Sequence, residues 1–329
     1  MYRLSLGITT KMSVETTDWI ARHAKTLGAD GIWIGEDIGA GQDVFVLAAS
    51  VLLRTSEVRV GTGIVPISTH NLTTIARSSL ALHEVGNGRF ALGLGIGGTQ
   101  DLQSAGMRIR KPVTEMRKAT ELLHSLWRGE TVSVMTELTE VESYSLRLSE
   151  DITVPVFFGV RGPQMLDLAG RVSDGVILSG PFEYIERAID IVRNAAVDTS
   201  RDPAEIEIVV WIPTIPTFRG IKKKVARRIV ALVVADTPES VVEMLSVNPE
   251  KLAKIRRKVA SAGPKAGAEF VDDHVLDAFS ISGSKQHMAN QFETLASLGV
   301  NEIVLGPPYA GEWKSSLAEV IREAKGGEA

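Results

Sequence analysis

The chain has 329 residues, 44% of them hydrophobic, and a formal charge of −4. That is apolar sequence enough for a large core, and a charge balance with no electrostatic footprint for nucleic acid or an acidic membrane surface. The absence of cysteine excludes disulfides, thiolate metal centres and thiol catalysis.

The first strand-like run, "YRLSLGIT", follows Met1 without a basic region or an apolar leader. No apolar run approaches membrane-spanning length, so the expected location is cytoplasmic. Together with this run at 3–9, similar runs near 31–35, 58–64, 90–95, 154–158, 175–179, 206–212 and 302–305 make eight. They are continuously apolar, the pattern of strands covered on both faces. Amphipathic stretches alternate with them: 13–27 after Ser13 as N-cap, 43–54, 71–85, 112–128, 162–172, 182–197, 284–298 and a last one near 312–324. Three junctions share one grammar: "LGADGIWIG" at 27–35, "AGRVSDGVILSG" at 169–180 and "LGVNEIVLG" at 298–306. In each a helical run stops at a glycine and a β-branched strand begins. Eight such units predict an α/β fold, the (βα)8 TIM barrel, as one domain over residues 1–329. Alternating residues at about 130–150 predict a hairpin inserted before strand five. Helical sequence at about 220–280 predicts an insertion before strand eight.

In a barrel of this kind the chemistry gathers at the C-terminal ends of the strands. There "RFALGLGIGGTQ" (89–100) spaces Gly93, Gly95 and Gly98 as G-x-G-x-x-G. It is not placed as a dinucleotide loop, because three strands precede it and no helix opens at once. Taken alone, its glycines fit a ligand rim and an empty tight turn equally. "VGTGIVP" (60–66) sets Gly61 and Gly63 inside a strand, a signal of a bulge or close backbone approach. "FFGVRGPQMLDLAG" ends strand five with Gly159, Arg161 and Gly162 and starts a helix at Pro163, a candidate anion site. Three glycine-rich rims on consecutive loops favour one extended cofactor.

Glu36 and Asp37 close strand two, and as neighbours they point apart, so at most one faces a ligand. His70, after strand three, either touches a ligand or makes a structural hydrogen bond. No H-x-H or H-E-x-x-H occurs, so no catalytic metal is expected. The basic runs Lys222–Lys224 with Arg227 and Arg228, and Lys251 to Lys258, read as solvated helix faces or as attraction for an anionic cofactor tail.

"ALHEVGNGRFALGLGIGG" (81–98) resembles the signature of the bacterial-luciferase-like flavin and deazaflavin oxidoreductases. "VPVFFGVRGPQMLDLAGRVSDGVIL", "DDHVLDAFSISGS" and "LGVNEIVLGPP" resemble, more narrowly, the methylenetetrahydromethanopterin reductases, which use coenzyme F420. The resemblance implies a TIM barrel and hydride transfer between a deazaflavin and a small organic substrate. It implies a bulge in strand three with a cis peptide at Gly63–Ile64 behind the ring, and a rim at Gly97 and Gly98. The phosphate end of the cofactor maps onto Gly159, Val160, Arg161, Gly162 and Pro163, with Ser179 and Gly180 nearby. Glu36, Asp37 and Thr9 are the catalytic candidates.

The chain also departs from that family. Where the methanogenic reductases carry a glutamate after Gly-Ile in strand one, it has Gly7-Ile8-Thr9; where they carry an aspartate after strand four, it has Gly98. Their Asp-His pair after strand two becomes Glu36-Asp37. The expected protein is therefore an F420-dependent oxidoreductase acting on another small substrate, with no nucleic-acid or membrane partner, assembled as a homo-oligomer. The rival readings are an FMN-dependent luciferase-like monooxygenase or reductase, and a non-catalytic flavin-binding protein.

Overall fold

The computed structural model describes residues 2–98, 102, 104–218, 222–309 and 311–326. The segment from Thr99 to Lys111, read in the sequence as a polar loop with no helix opening at once, lies partly outside the described residues; Leu102 and Ser104 within it are helical, and the Leu102 amide donates to the Gly98 carbonyl at 2.9 Å. The eight apolar runs form strands β1 (Arg3–Thr9), β2 (Gly31–Gly35), β3 (Arg59–Thr62), β4 (Phe90–Gly95), β5 (Val156–Gly159), β6 (Gly175–Leu178), β7 (Glu207–Pro216) and β8 (Glu302–Gly306). Each pairs in parallel with the next, and β8 pairs with β1 through Arg3↔Glu302 to Leu6↔Leu305, which closes the barrel. Strand residues are buried on both faces, as the unbroken apolar runs require.

Helices cover the outside, and their starts are set by side chains that accept from free amides. Ser13 Oγ accepts from the Thr16 amide, Asp43 from Phe45 and Val46, Asn71 from Thr73, and Ser284 from His287. The large core lies between helices and barrel. A smaller one fills the barrel interior with Trp33, Ala91, Phe157, Ile177, Val209 and Val304.

Below this inner core, at the N-terminal end of the strands, sits a charged layer. Glu302 is fully buried; it accepts from Ser5 Oγ at 2.5 Å, Trp33 Nε1 at 2.5 Å, Arg3 Nε at 3.0 Å and Arg59 at 3.1 Å. Glu207 also pairs with Arg3 and Arg59, and the Arg59 guanidinium lies 4.6 Å from the Phe157 ring centre. Burial works against ionisation of Glu302, but the two arginines and the hydrogen bonds outweigh it and hold the carboxyl below its ordinary range. This end of the barrel is built for stability.

Both expected insertions are present. Val132–Met135 pairs antiparallel with Glu140–Tyr144 before β5. Helices Lys223–Asp236, Glu239–Val242, Pro249–Ala262, Pro264–Ala268 and Asp273–Phe279 follow β7. Two details differ from expectation. β7 runs on to Pro216, because Thr214 to Pro216 gain a partner in the short strand Ile281–Gly283. The run expected at 58–64 is broken after Thr62, and pairing to β4 resumes at Val65–Pro66.

Candidate functional site

That break in β3 shapes the mouth of the barrel. The register passes from Gly61↔Ala91 to Val65↔Leu94. Four steps on one strand thus face three on the other, which is a bulge of one residue. The Thr62 hydroxyl bridges the lost ladder bonds, donating to the Gly93 carbonyl at 3.0 Å and accepting from the Gly93 amide at 2.8 Å. The Gly63–Ile64 peptide is cis, the isomer the resemblance implies.

The glycines around the bulge answer the question left open by the G-x-G-x-x-G spacing. A Cβ on Gly93 would stand 1.9 Å from the Thr62 carbonyl oxygen. One on Gly95 would meet the Gly159 carbonyl at 2.7 Å and Ile64 Cδ1 at 3.0 Å, and one on Gly159 would stand 2.2 Å from Ile64 Cγ2. Gly93 and Gly95 are therefore neither a phosphate cradle nor a free turn. They let the bulge lie against β4, and with Gly159 they clear a bed for Ile64. Of the motif only Gly98, beside Gly97 (φ +91°), reaches a cavity wall.

Three neighbouring cavities of about 770, 330 and 200 Å³ open at this end and share Arg161. The largest carries Glu36, Gly63, Ile64, Gly97, Gly98 and Val160 on its walls. Thr9, Asp37, Gly159 and Ser179 line the second, and Gly180 the third. Of the residues expected at the phosphate end, Gly162 and Pro163 stand back from the walls: Gly162 (φ +83°) turns the chain and Pro163 begins a helix without a side-chain cap. Arg161 is exposed and makes no ion pair with a described residue. A guanidinium beside uncapped helix amides suits an anion.

Glu36 and Asp37 do diverge. Glu36 Oε1 lies 2.8 Å from His70 Nε2, both side chains being largely buried, while Glu36 Oε2 has no partner. Asp37 instead turns to Lys11 at 3.5 Å, and its amide donates to Thr10 Oγ1. The hydrogen bond to Glu36 raises the pKa of His70 above its ordinary value against the effect of burial, helped by the charges of Glu36 and Asp43.

Two contributions to the mouth were missed in the sequence. Trp211 on β7 floors the second cavity, packed where Gly7, Gly63 and Gly306 on other strands lack side chains. The turn Asp236–Pro238 from the helical insertion roofs the first and third cavities. Arg256 holds that turn, donating to the carbonyls of Val234 (3.1 Å) and Thr237 and pairing with Glu239 at 2.5 Å. Part of each basic run is paired within the insertion, Lys223 and Arg227 with Asp273 and Lys251 with Asp272, while Lys222, Lys224, Arg228, Arg257 and Lys258 are exposed. Among the described residues no cluster of His, Asp and Glu could hold a metal, and no helix is long and apolar enough to cross a membrane.

The model of the luciferase-like monooxygenase family matches residues 2–302. A 5,10-methylenetetrahydromethanopterin reductase of Methanolobus tindarius is 28% identical over 311 residues, covering 93% of this chain and 94% of the relative. Among solved structures, the coenzyme F420 dependent tetrahydromethanopterin reductase from Methanopyrus kandleri superposes with a TM-score of 0.88 at 20% identity, over 98% of each chain. An F420-dependent secondary alcohol dehydrogenase, in complex with an F420-acetone adduct, gives 0.78 at 16% identity over the whole of both chains.

Proposed function

The chain belongs to the luciferase-like monooxygenase family, and from that premise we propose that it is an F420-dependent oxidoreductase moving a hydride between the deazaflavin and a small organic substrate. The observation that carries the reading is the bulge in β3, which lays Ile64 across a bed of glycines and presents it as an apolar platform at the barrel mouth. A planar ring fits against such a surface. The relatives named as F420-dependent, matched from end to end, support F420 as the ring in question.

The donor set fits the rest of the cofactor. Arg161 and the free amides at Pro163–Val172 would hold a phosphate, with Ser179 and Gly180 beside them. The deazaflavin, when bound, supplies the hydride acceptor or donor. The protein's own task is to orient the two partners, exclude water and manage the proton. With Thr9 and Gly98 in place of two carboxylates, the acids left on the cavity walls among the described residues are Glu36, Asp37 and Asp236. Proton chemistry thus rests on a different set from that of the methanogenic reductases, and the substrate is proposed to be other than a pterin.

Turnover without oxygen tests this reading. Mixed anaerobically with reduced F420 and a panel of small oxidised substrates, the chain should oxidise the cofactor. A strict need for FMN and oxygen would point to a monooxygenase instead. Binding of F420 with no turnover of any substrate would favour the non-catalytic rival.

A further inference from the structure

Among the described residues Glu36 is the one acid common to the two larger cavities, and one of its oxygens is already committed. Oε1 meets His70 Nε2 at 2.8 Å, while Oε2, buried and without a partner, belongs to a carboxylate on the cavity wall. An unmatched carboxylate oxygen in a largely dry place is costly unless a ligand or a proton completes it. His70 is itself fixed from behind. Its ring packs edge-on against Phe45 at 5.1 Å, and the helix carrying Phe45 starts at Asp43. The charged groups acting on His70 are Glu36 and Asp43, both negative. Asp37, next in the chain, shares the second cavity with Glu36; its Oδ1 lies 3.5 Å from Lys11, and its Oδ2 is buried without a partner.

We propose that Glu36 and His70 form a proton-holding pair at the barrel mouth, with Glu36 facing the substrate and His70 as the positioning residue that keeps it supplied, and that the substrate is a carbonyl compound reduced to an alcohol. This rests on the F420 reading above. In the reducing direction the hydride carried by reduced F420 forms a C–H bond to the carbonyl carbon, and the C=O π bond breaks toward oxygen. That oxygen takes the proton held by the pair through Glu36. The deazaflavin leaves oxidised by two electrons, and the pair, now one proton short, regains it from solvent at the partly exposed imidazole. The reverse sequence oxidises an alcohol. A pair holding one movable proton matches a reaction that needs one proton per hydride. The hydrogen bond to Glu36, with the charges of Glu36 and Asp43, raises the affinity of the imidazole for its proton.

The test uses wild type, His70→Gln, His70→Phe and Glu36→Gln. Histidine ring NMR of the free protein should give His70 a midpoint above the ordinary value of about 6.5. Glu36→Gln should return it toward that value. Fluorescence titration should show F420 bound equally by all four. With acetone and cyclohexanone as probes and reduced F420 as donor, wild-type kcat should fall as pH rises through the His70 midpoint. His70→Gln, which keeps an amide able to bond Glu36, should lose that break and about 10²-fold in kcat with KM little changed. His70→Phe should match it if it folds. Unchanged kcat and pH profile in His70→Gln, or a wild-type midpoint at or below the ordinary value, would overturn the pair. F420 binding with no carbonyl reduced would overturn the substrate class. Failure of the wild type to bind F420 would remove the cofactor reading while the NMR midpoints still judge the pair.

Discussion

Gly159→Ala is expected to weaken F420 binding by about 10²-fold or more while leaving a folded barrel. Its new Cβ would stand 2.2 Å from Cγ2 of Ile64. That atom sits on a β-branched carbon and has no free rotation by which to escape. Ile64 must rise toward the cavity it lines. A displacement on the order of 1 Å in a positioning surface costs about 10²-fold. The fold loses less, about 1–3 kcal/mol for overpacking one methyl, so a melt and a titration on the same sample separate the two effects. Gly93→Ala is the contrast. There the clash is with the Thr62 carbonyl at 1.9 Å, main chain against main chain, and soluble folded protein itself should be lost. Unaltered affinity in Gly159→Ala would show that Ile64 is not the platform for the ring.

The other large effect lies at the opposite end of the barrel. Glu302→Gln should lower stability by about 3 kcal/mol, since removing one member of a buried ion pair leaves the other uncompensated. Gln keeps the shape and the bonds to Ser5 and Trp33 but abandons Arg59, whose ring contacts hold it inside the barrel. Glu207 remains to share both arginines, which keeps the loss near the low end of its range. At this chain length the melting temperature should drop by roughly 6 °C. The pH dependence has a definite sign. Because the folded pKa of Glu302 is depressed, its contribution is complete above the unfolded carboxylate value of about 4.3 and disappears as pH falls through the folded value. Wild type and variant should therefore differ at neutral pH and converge in acid. F420 binding at neutral pH should be the same in both, because the layer lies below the inner core and away from the mouth.

The sequence made the scaffold legible because the strands are mostly continuous apolar runs and several helices begin at a residue whose side chain caps them, as Ser13, Asp43, Asn71 and Ser284 do. The bulge was legible for a sharper reason: glycines inside a buried strand weaken it unless the backbone needs the space. Sequence could not show what that space held. Gly93 and Gly95 look like a ligand rim, yet their missing Cβ atoms are replaced by Thr62, Ile64 and the Gly159 carbonyl, which come from two other strands. Trp211 reads as one more core residue in "IVVWIP", and only the closed barrel reveals the glycines of β1 and β8 and of the β3 bulge facing it. The Glu36–His70 pair joins two loops 34 positions apart, a contact that local periodicity does not encode. The Asp236–Pro238 turn had a local cue, a helix stopped by Thr-Pro, but its place over the mouth depends on Arg256 from the next long helix.

The measurement that bears most directly on the account is a side-by-side titration of the purified chain with F420, FMN and NADPH, followed by fluorescence. F420 is expected to bind more tightly than FMN and NADPH to show no specific binding, because Gly93 and Gly95 of the G-x-G-x-x-G are taken up by the β3 bulge and not by a ligand. FMN binding as tightly as F420, or more tightly, would contradict it.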